Sequence, residues 1–104
     1  MSDPGPHPTE RLVATITGDV QGVGFRWFAQ REATRIGLDG WVVNQADGSV
    51  EVVVEGDPAA LRAMAATLRA GPPAASIRGV AVRFEPARRN LSGFVIRGGA
   101  HRGD

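Results

Sequence analysis

The chain has 104 residues, enough for one hydrophobic core and too few for two domains of ordinary size. With 42% hydrophobic and 22% charged residues it has a globular composition, and no apolar run approaches the roughly 18 residues of a membrane span. The absence of cysteine removes disulfides, thiolate metal sites and thiol nucleophiles, and no leader stands at Met1, so a soluble, cytoplasmic protein with no membrane partner is the expectation. All twelve basic residues are Arg, yet the formal net charge is only +1, which is too weak to announce a nucleic-acid partner.

Taken in order, residues 1–10 carry three Pro and one Gly with no apolar period, and residues 98–104 are Gly-rich and polar; both read as loose tails around one folded unit over 11–97. The two histidines, His7 and His101, fall in these tails, which argues against a catalytic imidazole held in a core. The closing Arg102-Gly103-Asp104 reads as a chance tripeptide. Leu12, Ala14 and Ile16 alternate in a first strand over Leu12 to Thr17. Phe25, Phe28, Ala29, Ala33 and Ile36 recur at helical spacing, Arg31 and Arg35 fill the solvated face, and Gly37 ends the helix. Trp41 to Asn44 and Val50 to Glu55 are two short strands joined by an Asp47-Gly48 hairpin signal. Asp57 and Pro58 supply the cap and first residue of a second helix, with Leu61, Met64, Ala65 and Leu68 as its stripe and Gly71-Pro72-Pro73 as its stop. A strand bearing Val80, Val82 and Phe84 follows, then a short one over Phe94 to Arg97. The order βαββαβ predicts an α+β, ferredoxin-like sandwich: two helices on one face of an antiparallel sheet, with a short extra edge strand.

The two helix starts differ in a way that points to chemistry. The second has the side-chain cap that ordinarily satisfies an orphan N–H. The first follows Gly18-Asp19-Val20-Gln21-Gly22-Val23-Gly24, and Gly24 stands where a capping side chain is expected. Gly22 and Gly24 permit left-handed dihedrals that turn successive N–H groups inward beside the positive end of the helix, a concave nest suited to an anion. Arg26, in the first turn, adds a planar fork that binds two phosphate oxygens at once. The glycines alone would also serve a plain tight connection between strand and helix. Neither a Walker loop nor a dinucleotide fingerprint is present.

Val20-Gln21-Gly22-Val23-Gly24-Phe25-Arg26, then Gly40-Trp41-Val42-Val43-Asn44 and Asp47-Gly48-Ser49-Val50-Glu51, resemble the signature of the acylphosphatase family in order and spacing, over nearly the whole stretch from Arg11 to Arg97. The resemblance implies a small hydrolase of acyl phosphates that needs no metal or cofactor. It implies that Arg26 and the backbone of Gln21, Gly22, Val23, Gly24, Phe25 and Arg26 hold the phosphate, and that Asn44 orients the attacking water. The expected partners are a small acyl phosphate and inorganic phosphate, the latter as product and competitive ligand, with the chain acting as a monomer.

Elementary chemistry fits these roles. An acyl phosphate is a mixed anhydride whose leaving group is a stable carboxylate, so its expulsion needs no strong general acid and no histidine. Positioning and electrostatics carry most of phosphoryl transfer. An asparagine amide fixes a water without bringing negative charge towards the phosphate, although Asn44 also fits a plain strand-end residue bonding its own backbone. Two positions depart from the family pattern: Val43 replaces a usual arginine, and Asp19 is acidic where relatives are often basic. Asp19, Glu51 and Glu55 are expected on solvated faces, Trp27 and Trp41 as packing or partly exposed surface residues rather than stacking platforms, and Ser49 and Ser92 lack a base partner. An RNA-binding module of the same element order would carry aromatics on its central strands; Leu12 to Thr17 and Val50 to Glu55 have none. A non-catalytic anion sensor, or a relative of the similar domain within carbamoyl-transfer maturation proteins, would share the loop.

Overall fold

The computed structural model describes residues 8–98; His7, His101 and the Arg102-Gly103-Asp104 ending lie outside the described residues. The elements run β1 (Glu10–Asp19), α1 (Phe25–Ile36), β2 (Asp39–Asn44), β3 (Val50–Gly56), α2 (Pro58–Ala70), β4 (Ser76–Pro86) and β5 (Phe94–Arg97). They form the expected ferredoxin-like α+β fold, with one five-stranded sheet in the order β4-β1-β3-β2-β5.

Alternation decides which face of the sheet is covered. Leu12, Ala14 and Ile16 register with Val54, Val52 and Val50, and Val42 with Val52, so one face is a continuous apolar surface. All seven of these side chains are fully buried. Against them α1 lays Phe25, Ala29 and Ala33, and α2 lays Leu61, Met64, Ala65 and Leu68. Alanines at the centre of the α1 stripe let that helix lie close to the strands. Burial of each larger apolar side chain contributes about 1.5–3 kcal/mol. The helix ends follow their sequence signals: Asp57 accepts the Ala60 N–H at 3.0 Å, and Gly37, left-handed at φ 88, donates to the Ala33 and Thr34 carbonyls. Among the described residues no helix is long and apolar enough to cross a membrane.

The sheet is antiparallel through its four main strands, while the short edge strand β5 adds in parallel to β2. The topology dictates this. From one edge of the sheet β4 runs down to the far end, the chain crosses there, and β5 must climb alongside β2 on the other edge. The ends of β2 and β5, with the loop after β1, therefore meet at the same end of the sheet.

Glu55 departs from the expectation of a solvated carboxylate. It is 1% exposed, on the sheet face opposite the helices and at the far end. Arg11 donates from Nε to its Oε2 at 2.7 Å, and the backbone N–H groups of Arg88 and Arg89 donate to Oε2 and Oε1 at 2.8 and 3.1 Å. Burial pushes its carboxyl pKa up, but the two backbone donors and the Arg11 guanidinium outweigh this and hold it below the ordinary value of 4.5. Glu55 thus fastens the crossing segment that delivers β5. On the same face the Arg11 and Arg97 guanidinium groups lie 5.6 and 4.6 Å from the centre of the Trp41 ring, cation–π distances. Of the other two carboxylates, Asp19 is exposed and Glu51 is half-buried.

Candidate active site

The loop between β1 and α1 hangs from two buried side chains, Val20 and Phe25, each 1% exposed. Between these anchors Gly22 has φ 74 and Gly24 φ 81. A Cβ at either position would meet nothing within 4 Å, so it is the dihedral rather than crowding that calls for glycine; a left-handed residue with a Cβ costs about 1–2 kcal/mol. Gly24 is the N-cap of α1 and makes no side-chain cap hydrogen bond, while its carbonyl accepts the first helical bond from Phe28 at 3.0 Å. The opening turn therefore presents backbone N–H groups and the positive end of the helix dipole without a capping side chain.

Asn44 comes to this loop from β2. It ends the strand opposite Val50, on the helix-covered face, and is 2% exposed. Its neighbour Val43 pairs with Glu51 and Arg97 on the other face, so the departure at Val43 lies across the sheet from the asparagine. Arg26 is half-buried in the first turn of α1, with Nη1 3.5 Å from the Arg97 carbonyl at the end of β5. Together Val20, Gly22, Gly24, Phe25, Arg26, Trp27 and Asn44 line an open cleft of about 250 Å³. Among the described residues its wall holds one guanidinium, one amide and a helix N-terminus, with no carboxylate, histidine or thiol. Such a donor set suits an oxyanion.

Of the residues expected in the cradle, Gly22, Gly24, Phe25 and Arg26 line this cleft, Val23 packs against the core, and Gln21 turns its side chain to the β2–β3 hairpin. Gln21 Nε2 donates to the carbonyl oxygens of Gln45 and Ser49 at 2.8 and 2.9 Å. That hairpin is braced independently: Asp47 accepts from the Ser49 N–H and hydroxyl at 2.9 and 2.6 Å, bonds that lower the Asp47 pKa. Ser49 is accordingly a turn residue with its hydroxyl committed. Sequence reasoning missed the Gln21 clamp, which depends on where the hairpin turns, and the placement of Trp27, a residue 70% exposed on the rim of the cleft.

Relatives of known family share this arrangement of elements. The acylphosphatase family model matches residues 12–96. The chain is 47% identical over 83 residues to an acylphosphatase of Thermococcus kodakarensis, covering 80% of this chain and 90% of that one. To an acylphosphatase of Rhizobium etli it is 49% identical over 89 residues, covering 86% and 95%. Among solved structures, the acylphosphatase from Bacillus subtilis superposes with a TM-score of 0.82 at 34% identity, over 85% of this chain and 98% of that one. Full-length HypF in its phosphate- and nucleotide-bound form superposes with a TM-score of 0.81 at 29% identity, over 94% of this chain but 13% of that much longer one. The chain belongs to the acylphosphatase family.

Proposed function

We propose that the protein hydrolyses the carboxyl–phosphate bond of small acyl phosphates, releasing a carboxylate and inorganic phosphate, with no metal or cofactor. The observation that carries this reading is the convergence of Arg26 and Asn44 on one cleft at an uncapped helix N-terminus, in a chain of this family. The backbone N–H groups from Gln21 to Arg26 and the Arg26 guanidinium take the phosphoryl oxygens and neutralise the charge that spreads over them in the transition state. Asn44 holds a water on the buried side of the phosphorus. The water oxygen attacks phosphorus in line, the bond from phosphorus to the acyl oxygen breaks, and the carboxylate leaves with the electron pair. The proton of the water passes to a phosphoryl oxygen, so no side-chain base is required. The chain acts as a monomer, and its lack of cysteine suits the cytoplasm.

The test is hydrolysis of benzoyl phosphate in the presence of a chelator, with inorganic phosphate as competitor. Turnover that survives chelation and is inhibited competitively by phosphate is expected. Phosphate binding without turnover would favour a non-catalytic anion sensor instead.

A further inference from the structure

Trp27 is the most exposed large apolar side chain among the described residues, at 70%, and it stands directly after Arg26 on the wall of the cleft. Leaving an indole in water forfeits the burial energy that such a side chain usually supplies. The core does not use this ring, and the nearest Phe–Phe contact, 5.8 Å between Phe25 and Phe28, is complete without it. What the ring faces is decided by the geometry of the reaction.

In-line displacement puts the leaving group diametrically across phosphorus from the attacking water. Asn44, which holds that water in the function proposed above, is 2% exposed and forms the floor of the cleft. The acyl group must therefore point outward, to the solvent side, where Trp27 is the large apolar member of the lining. We infer that the Trp27 indole is the acyl-group contact of this enzyme, and that it biases the site towards acyl phosphates whose acyl part is flat and apolar, such as aroyl phosphates, over short aliphatic ones. A flat acyl group laid on the indole removes two apolar faces from water and gains the offset-stacked geometry aromatic pairs prefer. A methyl group covers a small part of the ring and gains correspondingly little.

This inference rests on the proposed hydrolase activity, and its test separates the two. The quantity to read is the ratio of kcat/KM for benzoyl phosphate to that for acetyl phosphate, measured for the wild-type chain, Trp27→Ala and Trp27→Phe. The wild-type ratio should exceed one after correction for the intrinsic reactivities of the two anhydrides. Trp27→Ala should lower it by roughly five- to tenfold, mostly through KM for benzoyl phosphate, while Trp27→Phe should keep most of it. A ratio unchanged within twofold in Trp27→Ala overturns the assignment of the indole and leaves the hydrolase reading standing. Failure of the wild-type chain to hydrolyse either compound overturns the hydrolase reading and the inference together.

Discussion

Gln21 reaches from the glycine loop to the hairpin after β2, its Nε2 donating to the Ser49 carbonyl at 2.9 Å and to that of Gln45 at 2.8 Å. Gln45 directly follows Asn44, so this one amide ties the proposed phosphate cradle to the strand end that carries the proposed water-holding residue. Both carbonyls keep a backbone donor without it: the Gln45 N–H donates to the Ser49 carbonyl at 2.8 Å, and the Gly48 N–H donates to the Gln45 carbonyl at 3.1 Å. Losing the clamp should therefore cost only about 1–2 kcal/mol of stability. Catalysis is more sensitive, since a misplacement near 1 Å costs roughly a hundredfold. Gln21→Met, similar in shape but without the donors, should lower kcat roughly tenfold or more, and Gln21→Glu, which sets a carboxylate against two carbonyl oxygens, should lower it further. Steady-state kinetics paired with thermal denaturation separate the effects: a destabilised Gln21→Met variant with wild-type kcat would make the clamp purely structural.

Arg26 and Asn44 are expected to act on the reaction rather than on the fold. Arg26→Ala and Asn44→Ala should each reduce kcat/KM by on the order of a hundredfold or more, with native circular-dichroism spectra. Arg26→Lys should recover little, because an ammonium keeps the charge and loses the two-point fork. Asn44→Asp should also be poorly active, since a carboxylate on the cleft floor repels the phosphoryl group. Near-normal turnover of benzoyl phosphate in either alanine variant would remove that residue from the mechanism.

The two loop glycines give a graded test of the nest. Gly22 and Gly24 hold φ of 74 and 81 in open space, so an added methyl clashes with nothing and only the backbone preference changes. Gly22→Ala and Gly24→Ala should each destabilise by about 1–2 kcal/mol. Each should also weaken competitive inhibition by inorganic phosphate, as the loop relaxes and its N–H groups turn away. Chemical denaturation and phosphate inhibition measure the two effects separately, and unchanged inhibition would show that the loop amides do not bind the anion.

Why some of this was legible and some was not follows from the range of the interactions. The capped start of α2 and the glycine end of α1 are local: Asp57 reaches a backbone group three residues on, and Gly37 bonds carbonyls three and four residues back. The uncapped loop before Phe25 was legible for the same reason, since its signal is a missing side chain among consecutive residues. Glu55 was misread because alternation along β3 places it on the face without helices, and its partners come from positions 11, 88 and 89, which nothing near Glu55 in the chain announces. The Gln21 clamp and the parallel pairing of β5 with β2 are of this long-range kind too. Trp27 is an intermediate case: its place on α1 is local, but its exposure on the rim of the cleft depends on where β2 ends.

Glu55 offers a test of the far end of the sheet through pH. Its carboxyl is held below the ordinary value of 4.5, so in acid the unfolded chain takes up the proton first. Stability from this group is fully present above that value and is lost as pH falls through it towards the lower folded pKa. Removing one partner of a buried pair leaves the other charge uncompensated, and Glu55→Ala should cost about 3–5 kcal/mol at neutral pH. Glu55→Gln keeps the shape but has no proton to take up, so its denaturation free energy should lack the wild-type contribution to the acid slope. The other carboxylates with lowered pKa, Glu32, Asp47 and Glu85, are common to both chains and cancel in the difference. The stability gap between wild type and Glu55→Gln should then narrow from about pH 6 to about pH 3. Urea denaturation across that range measures it, and a gap that stays constant would show that the buried carboxylate does not couple folding to pH.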